Sequence, residues 1–79
     1  MMHAYILVTM KPGFSDQAIR DIRSLEHIEK VSVIAGAYDI VVRVGVKSLE
    51  DLMKINSHLQ NIKGLEKTTT HVIEKEISL

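Results

Sequence analysis

The stretch Val31-Ser32-Val33-Ile34-Ala35-Gly36-Ala37-Tyr38-Asp39-Ile40-Val41-Val42-Arg43-Val44-Gly45-Val46 decides the fold. β-Branched residues crowd both sides of a single Gly-Ala step, and such residues suit a pleated, half-buried surface. Two strands are expected, Val31 to Ala35 and Tyr38 to Val46, joined at Gly36-Ala37. A two-residue connection with glycine first suits a type II′ hairpin turn, whose twist matches that of the flanking strands.

Toward the N-terminus, Ala4 to Met10 is almost continuously apolar, too short for a helix and the right length for a strand buried on both faces. Lys11-Pro12-Gly13 ends it. Proline presets φ and glycine accepts a positive φ, so the pair fits the central positions of a type II turn. Ser15 is the expected N-cap of the next element, with Asp16 complementing the positive helix end. Ala18, Ile19, Ile22 and Leu25 recur at helical spacing against a polar side of Arg20, Asp21, Arg23, Ser24 and Glu26.

Toward the C-terminus, Ser48 with Asp51 three positions on resembles a capping box, aspartate standing in for glutamate. Leu49, Leu52, Met53 and Leu59 are the expected apolar stripe of a second helix, with Ile55 on its margin. Asn61 and Gly64 both suit the left-handed conformation that closes a helix. From Leu65 the chain is β-rich again, through Thr68, Thr69, Thr70, Val72, Ile73 and Ile77.

The order β-α-β-β-α-β implies an α+β, ferredoxin-like fold: a four-stranded antiparallel sheet with both helices on one face. One domain spans residues 1–79. Alternation aims Ala4, Ile6, Val8 and Met10 to one side and Tyr5 and Leu7 to the other. In the third strand Tyr38, Ile40, Val42 and Val44 oppose Val41 and Arg43; in the second, Val31, Val33 and Ala35 oppose Ile34. Both faces are thus expected to carry large apolar side chains, and an open apolar face is uncommon on a monomer. A second copy apposed sheet to sheet is the expected cover. A short domain without cysteine gains most from such association.

Composition narrows the function. Ten basic and ten acidic residues cancel, a poor match for a protein that neutralises phosphates. No apolar run approaches the length of about 18 residues needed to span a membrane. Met1-Met2-His3-Ala4 lacks the basic start of a signal peptide, and the absence of cysteine suits a reducing cytoplasm. The histidines His3, His27, His58 and His71 show no metal spacing, no serine sits in a nucleophile elbow, and no catalytic residue or cofactor is assigned. Glu74, Lys75 and Glu76 read as a solvated charged edge that discourages further pairing.

The segment Val31 to Val44, with its Gly36-x-Tyr38-Asp39 step, resembles the second and third strands of the RAM (regulation of amino acid metabolism) domain. That domain is the effector-binding part of Lrp/AsnC-type transcriptional regulators. Ile62-Lys63-Gly64-Leu65-Glu66-Lys67-Thr68-Thr69-Thr70-His71-Val72-Ile73 is similar to the family's tract leading into the last strand, and Ala4 to Val8 fits its opening strand. Ala37 stands where the family often has Asp or Asn, and Lys63 where it often has Pro. The resemblance implies dimers formed by apposed sheets, assembling into rings that are commonly octamers, with a free amino acid bound where dimers meet. It carries the ligand contacts onto Gly36, Ala37, Tyr38, Asp39, Thr68 and Thr70. No helix-turn-helix precedes the first strand, so a stand-alone domain is expected, without its own DNA contacts, sensing by itself or joining full-length Lrp/AsnC regulators.

The chemistry of such a site can be stated independently. A glycine turn exposes backbone N–H groups to a carboxylate. Asp39 offers an acceptor to an ammonium, or else to the turn's own amides. Tyr38 serves equally as packing or contact, and the threonines are also good strand formers. Two other functions make different demands on the sequence. A small dimeric ferredoxin-like α+β barrel enzyme of monooxygenase type needs an apolar pocket with a polar catalytic group, and only Tyr5, Phe14 and Tyr38 are aromatic. RNA binding on the sheet needs stacking aromatics where Val33, Val41 and Val44 stand.

Overall fold

A computed structural model describes all 79 residues. The elements follow the expected order: β1 (Met2–Met10), α1 (Ser15–Arg23), β2 (Ile28–Val33), β3 (Ile40–Val46), α2 (Leu49–Gln60) and β4 (Leu65–Val72). The antiparallel sheet runs β2-β3-β1-β4. Because β1 and β3 are central, their inward residues are the most deeply covered. Ala4, Ile6, Val8, Met10, Ile40, Val42, Val44 and Val46 are all buried, against Ala18 and Ile22 of α1 and Leu52, Ile55 and Leu59 of α2. No polar side chain is buried in this core.

The alternation in β1 and β3 is the one expected, but several local expectations need correction. The hairpin keeps the register of a Gly36-Ala37 turn, since Val33 pairs with Ile40, yet regular pairing stops there. One further bond, from Ile34 N to Asp39 O at 3.0 Å, closes a wider loop over Ala35–Tyr38 in place of a type II′ turn. The cause is Asp39, whose backbone N–H donates to Val8 O of β1 at 2.9 Å, drawing the start of β3 toward β1. Gly36 meets the loop's demand with φ +144°. Ile34 and Ala35 therefore lie beyond the strand.

Both helix starts are instructive. Lys11-Pro12-Gly13-Phe14 forms the expected turn, with Gly13 at φ +86° and Phe14 N–H donating to Lys11 O at 3.3 Å. Helix α1 then begins at Ser15 itself, with Phe14 in the cap position and no side-chain cap. Phe14 occupies that place because its ring packs beside Gly64, where a Cβ would lie 2.3 Å from the Phe14 side chain. Ser48 caps α2 as expected, accepting from Asp51 N–H at 3.2 Å. The stripe of α2 is rotated from the expected one: Ile55 is core, while Leu49 and Met53 are exposed. Asn61 ends α2 in right-handed conformation, and the left-handed residue is Gly64 at φ +85°.

The two β-α-β halves match closely where helix meets strand. Ser24-Leu25-Glu26-His27-Ile28-Glu29-Lys30 and Asn61-Ile62-Lys63-Gly64-Leu65-Glu66-Lys67 place left-handed residues, His27 (φ 70°) and Gly64, at equivalent positions. The register of each following strand then slips by one residue, at Glu29 and at Glu66. In β2 that bulge aims Glu29 at the open face.

Candidate functional site

The six residues carried over from the family resemblance fall into three places. Gly36 and Ala37 are exposed at the loop tip, and Tyr38 is half-buried behind them. Asp39 lies at the sheet's upper end, and its carboxylate Oδ2 accepts from Met10 N–H at 2.7 Å. One carboxylate oxygen thus satisfies an amide of β1, not the turn's own amides that were its expected alternative partners. Thr68 pairs in register with Val8, which also pairs with Ile40, so Asp39 and Thr68 flank the same end of β1. Thr68 faces the helices and donates to Asn56 Oδ1 of α2 at 3.0 Å. Thr70 pairs with Ile6, two residues further down and on the same face. The fold therefore brings Asp39 and Thr68 to one end of the sheet, with Gly36-Ala37 projecting past it and Thr70 set back. None of the hollows on a single chain is lined by any of the six.

A second polar constellation lies on the open face, and the sequence reading missed it. Arg43 is the single charged residue of β3, at the sheet centre opposite Tyr5. Its guanidinium pairs with Glu29 from the β2 bulge through Nη1 and with Glu76 through Nη2. The Tyr5 hydroxyl donates to the other oxygen of Glu76 at 2.8 Å. His3 Nδ1 joins the group, 3.1 Å from Glu29 Oε1. Gly45 leaves room for it, since a Cβ there would come within 2.9 Å of Glu29 Oε2. The Glu76 carboxyl is held below the usual range by the Arg43 and Tyr5 hydrogen bonds, and Arg43 is raised by the same bond to Glu76.

Glu76 is therefore not part of a free charged edge. After Ile73 N–H donates to His3 O at 2.9 Å, the chain turns back across the open face and delivers Glu76 to Arg43. The available signal was an arginine within an otherwise uncharged strand, which demands a partner; nothing local indicated which one. The open face is in consequence mixed. Tyr5, Leu7 and Val41 form a half-buried apolar strip, bordered by Lys30, Ser32, Arg43, Thr69 and His71. The expected greasy face shrinks to that strip, because Ile34 lies outside the strand. No three histidine or carboxylate side chains converge as a metal ligand set.

The model of the Lrp/AsnC ligand binding domain matches residues 3–78. The chain belongs to the Lrp/AsnC ligand-binding domain family. Among curated relatives, the HTH-type transcriptional regulator FL11 of Pyrococcus abyssi is 31% identical over 74 residues, covering 94% of this chain and 49% of that protein. The chain spans about half the length of the curated relatives it matches. Solved structures share the fold along the whole chain. TTHA0845 from Thermus thermophilus superposes with a TM-score of 0.91 at 22% identity, covering 100% of both chains. A feast or famine regulatory protein from M. tuberculosis, complexed with L-methionine, superposes with a TM-score of 0.83 at 20% identity, over 100% of this chain and 54% of that one.

Proposed function

We propose that this Lrp/AsnC domain is an amino-acid sensor, binding a free amino acid at a site completed by neighbouring copies and acting by association rather than catalysis. The observation that carries the reading is the family match along residues 3–78, with the Gly36–Asp39 loop and Thr68 brought to one end of the sheet. A relative of the same fold is complexed with L-methionine, which supports an amino acid as the ligand class. In this site the Gly36-Ala37 amides meet the carboxylate, the free oxygen of Asp39 meets the ammonium, and Thr68 and Thr70 add hydroxyls.

Assembly in this account starts with two copies apposed through the Tyr5, Leu7 and Val41 strip. Such dimers close into a ring, an octamer, through the hairpin ends, where Val33 and Ile34 are exposed. The protein works in the cytoplasm, alone or in company with other regulators of its family. A ligand that binds the folded state raises thermal stability in proportion to its concentration over Kd. Differential scanning fluorimetry against the twenty free amino acids at millimolar concentration is expected to raise the melting temperature for one or a few. A flat response to all twenty contradicts the reading. Asp39→Asn is expected to abolish the response while preserving the fold, since its amide oxygen can still accept from Met10.

A further inference from the structure

Of the two threonine hydroxyls on the helix side of β4, only one has its proton committed. Thr68 Oγ1 donates to Asn56 Oδ1 of α2 at 3.0 Å, whereas the Thr70 hydroxyl has no side-chain partner. Asn56 is half-buried and shares its side of α2 with the core residues Leu52 and Leu59, which fixes where its amide sits. A hydroxyl carries one proton and two lone pairs. With the proton on Asn56, Thr68 has only acceptor capacity left for a ligand. Gln60, one turn on from Asn56, brings its Nε2 to the same oxygen at 3.5 Å, near the outer limit of a hydrogen bond and from an exposed side chain. A stronger donor can take that place. Thr68 cannot donate to a carboxylate without giving up Asn56, but its oxygen suits a cation. An N⁺–H donor polarises the hydroxyl and strengthens its bond to Asn56 in turn.

We propose that Asn56 is a positioning residue of the amino-acid site: by taking the Thr68 proton it fixes Thr68 as an acceptor for the ligand's ammonium and withdraws it from the carboxylate. The inference rests on the amino-acid reading above and deepens it. Asn56 touches no ligand; it acts through Thr68. Its effect is selectivity for an amino acid over the α-hydroxy acid of the same side chain, whose neutral hydroxyl is the weaker donor. Occupancy also tightens the side-chain link between α2 and β4. Thr68 and Asn56 lie on the helix side of the sheet, away from the face that a second copy covers, so substitutions here leave that contact intact.

The test is calorimetric titration of the twenty free amino acids, and then of the α-hydroxy acid counterpart of each that binds, into wild type and three variants. Asn56→Leu is expected to weaken the amino acid about tenfold, the scale of one hydrogen bond to a charged group. It is expected to weaken the α-hydroxy acid little, because the freed Thr68 proton can then donate to a neutral hydroxyl, so the preference narrows. Asn56→Asp, which can only accept, is expected to restore both affinity and preference. Thr68→Val is expected to lose as much as Asn56→Leu, and the double variant no more than Thr68→Val alone, since the two residues act as a unit. Wild-type affinity in Asn56→Leu overturns the proposal and leaves the sensor reading standing. So does an equal loss for amino acid and α-hydroxy acid, which marks a merely structural role, or additive losses in the double variant. Failure of every amino acid to bind wild type contradicts the sensor reading itself and this inference with it.

Discussion

The two faces of the sheet are written on the same strands, residue by residue, and differ in kind. On the helix side, Ile6, Val8, Val42 and Val44 are fully buried among aliphatic neighbours with no polar side chain. One step along each strand, Tyr5, Leu7, Val41 and Arg43 look out onto a face that no helix covers. Here apolar side chains are only half-buried, and the central position is an arginine held by two glutamates. The covered face supplies cohesion, which is indifferent to direction. The open face supplies directed contacts, which select what lies against it.

The largest effect that separates the faces comes from adjacent residues of β1. Ile6→Ala is expected to cost about 2–5 kcal/mol in urea unfolding, as a buried truncation that leaves a cavity. Leu7→Ala, one residue on, is expected to cost under about 1 kcal/mol at high dilution, where little transfer energy is lost. Its cost should grow with protein concentration if a second copy covers that residue, because association then stabilises the folded state. A Leu7→Ala penalty that is independent of concentration would argue that the strip is never covered.

The paired helix-to-strand corners give the next effect. Gly64→Ala places a Cβ 2.3 Å from Phe14 at φ +85°, and is expected to destabilise by about 2–3 kcal/mol. His27→Gly relieves the left-handed strain of the equivalent corner and is expected to stabilise by under about 1 kcal/mol, since glycine's greater unfolded freedom offsets part of the gain. Opposite signs from corresponding positions would establish that the halves share one backbone solution with different side chains. Equal signs would break the correspondence.

The smallest effect belongs to the open face and to pH. A carboxyl whose folded-state pKa is lowered contributes stability above its unfolded pKa and loses it as pH falls through the folded value. Glu76 is such a group, lowered first by the Arg43 hydrogen bond. The wild-type melting temperature is therefore expected to exceed that of Glu76→Gln at neutral pH, and the gap is expected to close below the ordinary glutamate range of about pH 4. High salt should narrow it as well, since the pair is solvent-exposed. A gap that persists unchanged in acid would remove the ion pair as its cause.

How much of this was legible in the sequence follows from the range of the interactions. Local periodicity carried the six elements and the inward sets of β1 and β3, because alternation and helical spacing are properties of neighbouring residues. The hairpin register followed from Gly36-Ala37, but its fraying did not, since the bond from Asp39 to Val8 joins residues 31 apart in the chain. Ser15 looked like a cap in isolation and lost that place to Phe14, which answers to Gly64 at the far end of the fold. Ile55 reads as marginal in the sequence because Leu49 and Met53 beside it are equally apolar, and only the packed sheet decides which side of α2 turns inward. The motifs that carry the family resemblance, Gly36-x-Tyr38-Asp39 and Thr68-x-Thr70, are short runs of neighbouring residues and so are legible in the sequence. The Arg43–Glu76–Tyr5 cluster is not, because the contacts that make it span 33 and 71 positions.

Sedimentation velocity of the chain, across protein concentration and with each free amino acid in turn, bears most directly on the amino-acid sensor. The account predicts a mass that is an even multiple of 8.9 kDa, redistributed among assemblies by the amino acids that raise the melting temperature. A single species of 8.9 kDa at every concentration, unmoved by any amino acid, would contradict it.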